Sequence, residues 1–241
     1  MMKKEGIENL NSKYGTFYSV GVGPGDPSLM TIKSVETIKK SDIIVLPKSG
    51  ATENIAFKIA KEYLGDKKII ECGMPMTRDK ELLYQSHENA TETIEELLKS
   101  GKTVSFLTLG DPSIYSSTMY VHKRLTERGY KTVLIPGIPS FCAVAASLNT
   151  SLCEGGELLH IIPASYDDID ESLALKGNKI LMKSGKSIYS VKDKILSSGN
   201  KEAMMVECAS MENEKVYKKI ELIEENASYF SILLVKDGEK K

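Results

Sequence analysis

The chain has 241 residues, 41% of them hydrophobic and 27% charged, and its 32 Lys+Arg against 33 Asp+Glu leave a formal net charge of −1. This composition excludes the disordered and fibrous classes, and near-neutrality without a basic run longer than Lys-Lys excludes the electrostatic footprint of a nucleic-acid binder. No apolar stretch approaches the roughly 18–20 residues that cross a bilayer, and the opening MMKKEGIENLNSKYGTFYSV has no apolar signal core, so a cytoplasmic protein with no membrane partner is expected.

Residues 16–22 (TFYSVGV) read as a strand, and 28–40 carry Leu29, Ile32, Val35 and Ile38 at three-residue spacing, one face of a helix. A β-branched strand at 42–46, a helix at 54–64 and a strand at 68–71 keep the alternation. Residues 79–100 form a long amphipathic helix closed by Gly101, ahead of the apolar strand 103–109. Helix 114–128 stops at Gly129, strand 131–135 follows, and Pro136-Gly137 opens a helix of small residues, FCAVAASL. The stretch NTSLCEGGE after Leu148 reads as a linker, which puts a boundary near residues 137–150. The second half alternates again, with strands at 158–163, 179–183, 203–208 and 229–235 and helices at about 167–175, 187–198 and 214–225. Strands alternating with helices predict two α/β domains with a largely parallel sheet, residues 1–140 and 141–241, and a cleft between them as the default ligand site.

Three turns carry chemistry. In VGVGPGDPS, residues 20–28, a strand runs into Gly21-x-Gly23-x-Gly25 and then Asp26-Pro27 at a helix start; glycine permits close backbone approach, proline suits the first helical position and Asp26 can cap it. The spacing is not the G-x-G-x-x-G of a dinucleotide site, the next strand ends in Leu46-Pro47-Lys48 with no acid for a ribose, and no Gly-Lys-Ser/Thr follows to make a P-loop. LTLGDPSIYSS, residues 107–117, repeats the strand–Gly-Asp-Pro-Ser device, so that Asp26 and Asp111 are each either a helix cap or a functional carboxylate. IPGIPSFCAVAASL, residues 135–148, ends a strand in Pro-Gly before the small-residue helix, whose slim side chains suit either tight packing or close approach of a flat ligand. Cys72, Cys142, Cys153 and Cys208 lack any Cys-x-x-Cys and His87, His122 and His160 are isolated, so no metal site is expected.

In this order and at these intervals, from about Gly15 to Asp237, the motifs resemble the tetrapyrrole (precorrin) methylase family, the class III methyltransferases. Within it, GTFYSVGVGPGDPSLMTIKSVETIKKSDIIVLPKS, the Pro75-Met76 pair, FLTLGDPSIYSS and IPGIPSF are most similar to the precorrin-2 C-20 methyltransferases. The resemblance implies a homodimer of two-domain α/β chains. S-adenosylmethionine would lie in the cleft, leaving as S-adenosylhomocysteine, and the tetrapyrrole in a trough over the N-terminal domain. It carries cofactor contacts onto Pro24 of the first glycine loop, Gly110, Asp111 and Ile114 of the second motif and Ser140 of the third. In the second domain it carries them onto Met182, Ala209 and Ser231. Pro139 departs from the Thr or Ser common after Pro-Gly-Ile/Val, removing a donor and a hydroxyl and leaving Ser140 as the polar group.

Methyl transfer to carbon needs no covalent nucleophile, and positioning is expected to dominate. The methylated carbon must then lose a proton, yet no acid–base constellation stands out, so no catalytic residue is assigned; His87, Tyr115 and Glu154 are conceivable bases that read equally well as surface or packing. Lys48, Arg78 and Lys183 sit near predicted loops where substrate carboxylates could find them. The rival readings are a sister methylase acting on another precorrin carbon, uroporphyrinogen III or a protein or RNA acceptor, and a binding protein without turnover.

Overall fold

The computed structural model describes residues 13–49, 54–164, 169–184, 188–197, 201–223 and 227–237. Two compact units make up the chain, Met1–Pro139 and Ser140–Lys241.

The first unit is a five-stranded sheet in the order β3-β2-β4-β1-β5, built from β1 (Thr16–Gly21), β2 (Ile43–Lys48), β3 (Lys68–Gly73), β4 (Val104–Thr108) and β5 (Lys131–Ile135). Every neighbouring pair is parallel. Parallel neighbours require crossovers, which the helices provide. Among the described residues these are α1 (Ile32–Lys40), α2 (Ile55–Leu64), α3 (Lys80–Lys99) and α4 (Thr118–Glu127). Strands covered on both faces are apolar on both, and the two faces feed separate cores. Phe17, Val45 and Phe106 pack with Ile94 and Leu125 of α3 and α4. Val20, Ile44 and Leu107 pack with Ile38 and Ile59 of α1 and α2.

Two boundaries differ from the sequence expectation. The helix expected over 28–40 breaks in two: Pro27–Leu29 is a 3-10 turn capped by Asp26, and α1 starts at Ile32 under its own cap, the Thr31 hydroxyl, which accepts from the Ser34 amide at 3.1 Å. Asp26 therefore caps the turn and not the helix. Three-residue spacing lags the helical turn by about 60° per step, and so Ile32 is 79% exposed while Ile38 is fully buried. The helix expected over 114–128 begins only at Thr118, because Tyr115 takes a left-handed conformation at φ 48° that no helix accommodates.

The second unit holds α5 (Ser140–Leu148), β6 (Leu159–Pro163), α6 (Ile169–Ala174), β7 (Asn178–Met182), α7 (Ile188–Ser197), β8 (Lys201–Glu207), β9 (Lys215–Tyr217) and β10 (Ser231–Asp237). Its sheet order is β6-β7-β10-β8-β9. Among the described residues only β6 and β7 pair in parallel; β7–β10, β10–β8 and β8–β9 are antiparallel, so the expectation of a largely parallel sheet fails in this unit. The helix expected over 214–225 is instead the edge strand β9 and a 3-10 turn, Ile220–Leu222, with 224–226 outside the described residues. Pairing Lys215-Val216-Tyr217 against Met205–Glu207 buries Tyr217 and overrides the weak helical pattern. Leu181, Met205 and Leu233 from the sheet meet Leu173 of α6 and Val191 of α7 in the core.

Candidate functional site

The three glycine-bearing turns leave the C-terminal ends of β1, β4 and β5, adjacent strands with β1 in the middle. Ligands of open parallel sheets bind beyond this end of the strands. The turns touch backbone to backbone. Gly110 and Gly23, both at positive φ, exchange hydrogen bonds: the Gly110 amide donates to Gly23 O at 2.7 Å and the Gly23 amide to Gly110 O at 3.3 Å. A Cβ on Gly21 would stand 2.6 Å from Gly110 O, and one on Gly137 only 2.2 Å from the same oxygen. Glycine at 21 and 137 is thus a demand of space.

Asp111 sits in this junction with both carboxylate oxygens engaged. Oδ2 accepts from the Gly137 amide at 2.9 Å, and Oδ1 accepts from the Ser113 amide at 2.8 Å and hydroxyl at 2.5 Å. From the other side, Thr31 donates its hydroxyl to Pro136 O at 3.2 Å, while the Ser34 hydroxyl donates to Gly21 O at 2.7 Å and lies 3.4 Å from Pro136 O. Sequence reading missed these two residues; a Thr and a Ser three apart at a helix start signals a cap, but its reach to a turn 105 residues away is tertiary.

Pro24 follows Gly23 and is buried, while Ile114 is half-buried on the loop after Asp111. Tyr115 comes next, 44% exposed, its pKa raised by partial burial. Ser116 ties the end of this loop back to the sheet, its hydroxyl 2.8 Å from that of Thr108. Beneath α4, the Ser19 hydroxyl on β1 meets the Thr118 hydroxyl at 3.2 Å and His122 Nδ1 at 3.0 Å, and burial lowers the pKa of His122.

In the second unit, Met182, Ala209 and Ser231 fall at one end of the sheet. The register Leu181↔Leu233 and Glu207↔Ser231 sets the end of β7 and the end of β8 beside the start of β10. Ser231 is buried and donates its hydroxyl to Ser228 O at 2.6 Å. Ser140 is the first residue of α5 and half-buried. Among the described residues five non-glycines have positive φ, and four of them, Tyr115, Lys183, Cys208 and Ser210, follow β4, β7 or β8 directly or within one loop. Such backbone costs about 1–3 kcal/mol each and clusters where chains position ligands.

Of the conceivable bases, only Tyr115 belongs to these strand-end loops. His87 is buried on α3, stacked on Tyr120 with ring centroids 4.4 Å apart, its pKa lowered by burial and by nearby Arg124. Glu154 accepts from the Ser151 hydroxyl at 2.6 Å in the loop before β6. Of the basic residues, Lys48 ends β2 with its Nζ 2.7 Å from Glu71 Oε2, and Arg78 lies between β3 and α3. Lys183 follows β7, with burial lowering its pKa.

The sequence profile of the Tetrapyrrole (Corrin/Porphyrin) Methylases matches residues 16–223. A Methanocaldococcus jannaschii protein named "probable cobalt-precorrin-2 C(20)-methyltransferase" is 37% identical over 94% of this chain and 98% of its own. The precorrin-2 C(20)-methyltransferase of a Sinorhizobium species is 27% identical over 92% of this chain and 95% of its own. Among solved structures, the uroporphyrin-III C-methyltransferase of Thermus thermophilus, complexed with S-adenosylhomocysteine, superposes with a TM-score of 0.71 at 18% identity, covering 92% of this chain and 98% of that one. The likeness to that structure is one of fold, and the profile and the nearly full-length relatives complete the assignment: the chain belongs to the tetrapyrrole methylases.

Proposed function

We propose that the protein is an S-adenosylmethionine-dependent C-methyltransferase that methylates C-20 of precorrin-2 or cobalt-precorrin-2, in cobalamin biosynthesis, and releases S-adenosylhomocysteine. The observation that carries this reading is the 37% identity, over 94% of the chain, to a relative named for that carbon and the cobalt-bearing substrate. The Sinorhizobium relative, named for the same carbon of precorrin-2, supports the position and leaves the metal state to experiment.

The strand-end positions suit such a donor. In the first unit the proposed cofactor contacts are Pro24, Gly110 and half-buried Ile114, and in the second unit Ser140, half-buried Met182, Ala209 and Ser231. Asp111 joins them with its carboxylate already committed to Gly137 and Ser113. Bound S-adenosylmethionine supplies an electrophilic methyl group whose transfer discharges a sulfonium. The protein's own task is orientation: loops tied backbone to backbone can hold reacting atoms within about 3–3.5 Å and in line, which can supply roughly 7–11 kcal/mol of the barrier. Lys48, Arg78 and Lys183 are the proposed partners of the substrate's carboxylates. Homodimeric assembly and a cytoplasmic location belong to the same proposal; among the described residues no helix is long and apolar enough to cross a membrane.

Incubation with S-adenosylmethionine and precorrin-2, with and without cobalt, tests the proposal by mass and NMR analysis of the product. One added methyl at C-20 is expected, and the faster metal state identifies the substrate. A methyl elsewhere, or only on uroporphyrinogen III, would move the protein to a sister reaction; donor binding without transfer to any tetrapyrrole would make it a binding protein. Sedimentation solely at the mass of one chain would overturn the dimer.

A further inference from the structure

Pro136 O and the Gly137 amide belong to one peptide unit, and that unit is gripped from both ends. Its oxygen accepts from the Thr31 hydroxyl at 3.2 Å, with the Ser34 hydroxyl, which donates to Gly21 O at 2.7 Å, lying 3.4 Å off, and its N–H donates to Asp111 Oδ2 at 2.9 Å. The grip answers a specific weakness. Gly110 O excludes any side chain at 137, since a Cβ there would approach to 2.2 Å. The glycine that this contact demands is also the residue freest to let its preceding peptide rotate. The sheet ladder ends before the turn, the last β1–β5 register pair being Val20↔Ile135, while Gly110 and Gly21 pack closely on Gly137. The peptide's own hydrogen bonds, which fix its orientation, go to side chains. Asp111 is suited to it because its Oδ1 is itself fixed by the Ser113 amide and hydroxyl, at 2.8 and 2.5 Å, which leaves Oδ2 a single direction.

We propose that Asp111 is a positioning residue that, with Thr31 and Ser34, locks the Pro136–Gly137 peptide in one orientation and so fixes the turn leading into Ser140, acting through the backbone and not as a counter-charge to the cofactor. The inference deepens the S-adenosylmethionine reading and rests on it for its functional consequence alone. A counter-charge to the sulfonium would discriminate the donor from its product, which has lost that charge but keeps the ammonium; a lock would not, and only a lock changes the exchange of the Gly137 amide. An amide in place of the carboxylate keeps one acceptor oxygen and can serve Gly137 or Ser113 but not both.

The test uses the full chain with Asp111→Ala, Asp111→Asn and the pair Thr31→Val/Ser34→Ala, the last two retaining a readout should the alanine variant fail to fold. Calorimetry measures S-adenosylmethionine and S-adenosylhomocysteine separately, and NMR follows hydrogen exchange of the glycine-labelled Gly137 amide. In Asp111→Ala both affinities are expected to fall by the same factor, about tenfold, the size of losing one hydrogen bond to a charged group. Asp111→Asn should fall less, the Thr31/Ser34 pair should lose both affinities together, and Gly137 exchange should accelerate in Asp111→Ala. Loss of donor affinity with product affinity intact would overturn the lock in favour of a counter-charge, and unchanged Gly137 exchange would overturn it outright. A wild-type protein that binds neither ligand while Gly137 exchange still accelerates in the variant would support the lock and reject the cofactor reading.

Discussion

At the scale of single residues, space and hydrogen bonding divide the work among the glycines. Gly137 faces Gly110 O at 2.2 Å from its would-be Cβ, whereas nothing lies within 4 Å of a Cβ built on Gly73 at the end of β3. Backbone cannot retreat as a flexible side chain can, so Gly137→Ala is expected to cost about 1–3 kcal/mol, while Gly73→Ala stays within about 0.5 kcal/mol of wild type. Urea midpoints of the two variants give the comparison; equal midpoints would mean that the glycine junction is looser than its geometry. Asp111 illustrates the limit of reading motifs. Helix cap and functional carboxylate are the two readings open to it; the next helix starts only at Thr118, so Asp111 caps none, and it holds Ser113 as an Asx turn does and reaches Gly137.

At the scale of elements, β9 shows tertiary context overriding local pattern. Lys215-Val216-Tyr217 lies in a stretch whose apolar spacing suits a helix, yet it pairs with β8. A buried polar contact secures the pairing: the Tyr217 hydroxyl donates to Glu207 Oε1 at 3.0 Å, and Glu207 Oε2 accepts from the Ser228 amide at 3.1 Å. Tyr217→Phe removes one donor from a buried carboxylate and is expected to cost about 1–3 kcal/mol, roughly 2–4 °C of melting temperature per kcal/mol for a chain of this size. Scanning calorimetry reads the shift, and an unchanged melting temperature would show that β9 is held by its backbone ladder alone. The same network ties the end of β8 to the start of β10, where Ala209 and Ser231 sit.

At the scale of the whole molecule, the near-balanced charge of −1 leaves pH sensitivity to individual buried groups. His87 and His122 both have pKa values lowered from the ordinary 6.5, each chiefly by burial. In the interval between the folded value and 6.5 the unfolded chain binds more protons, so stability falls as pH falls through the window below 6.5 and rises again toward neutrality. The lowered carboxylates Asp26 and Glu95 act separately, in the more acidic range where carboxylates protonate. Urea unfolding at pH 7.5 and 5.5 should therefore give a lower midpoint at the acidic value, and replacing His122 should flatten the difference. A midpoint that rises on acidification would contradict the burial of both rings.

The alternation of strands and helices, the apolar strands 104–108 and 131–135 and the long α3 were legible along the chain because each is a local pattern of period and breaker. So were the glycine turns, since a turn without Cβ is written at the residue itself. Sequence alone also carried the family, because three motifs in order constrain far more than any one. What only the tertiary structure decided was set by partners distant in the chain. The mixed sheet of the second unit arises where β10 inserts between β7 and β8. The grip on the Pro136–Gly137 peptide joins residues 31, 34 and 111, which no local pattern relates; contact across 26 to 105 residues is a product of the sheet order, not of the sequence window.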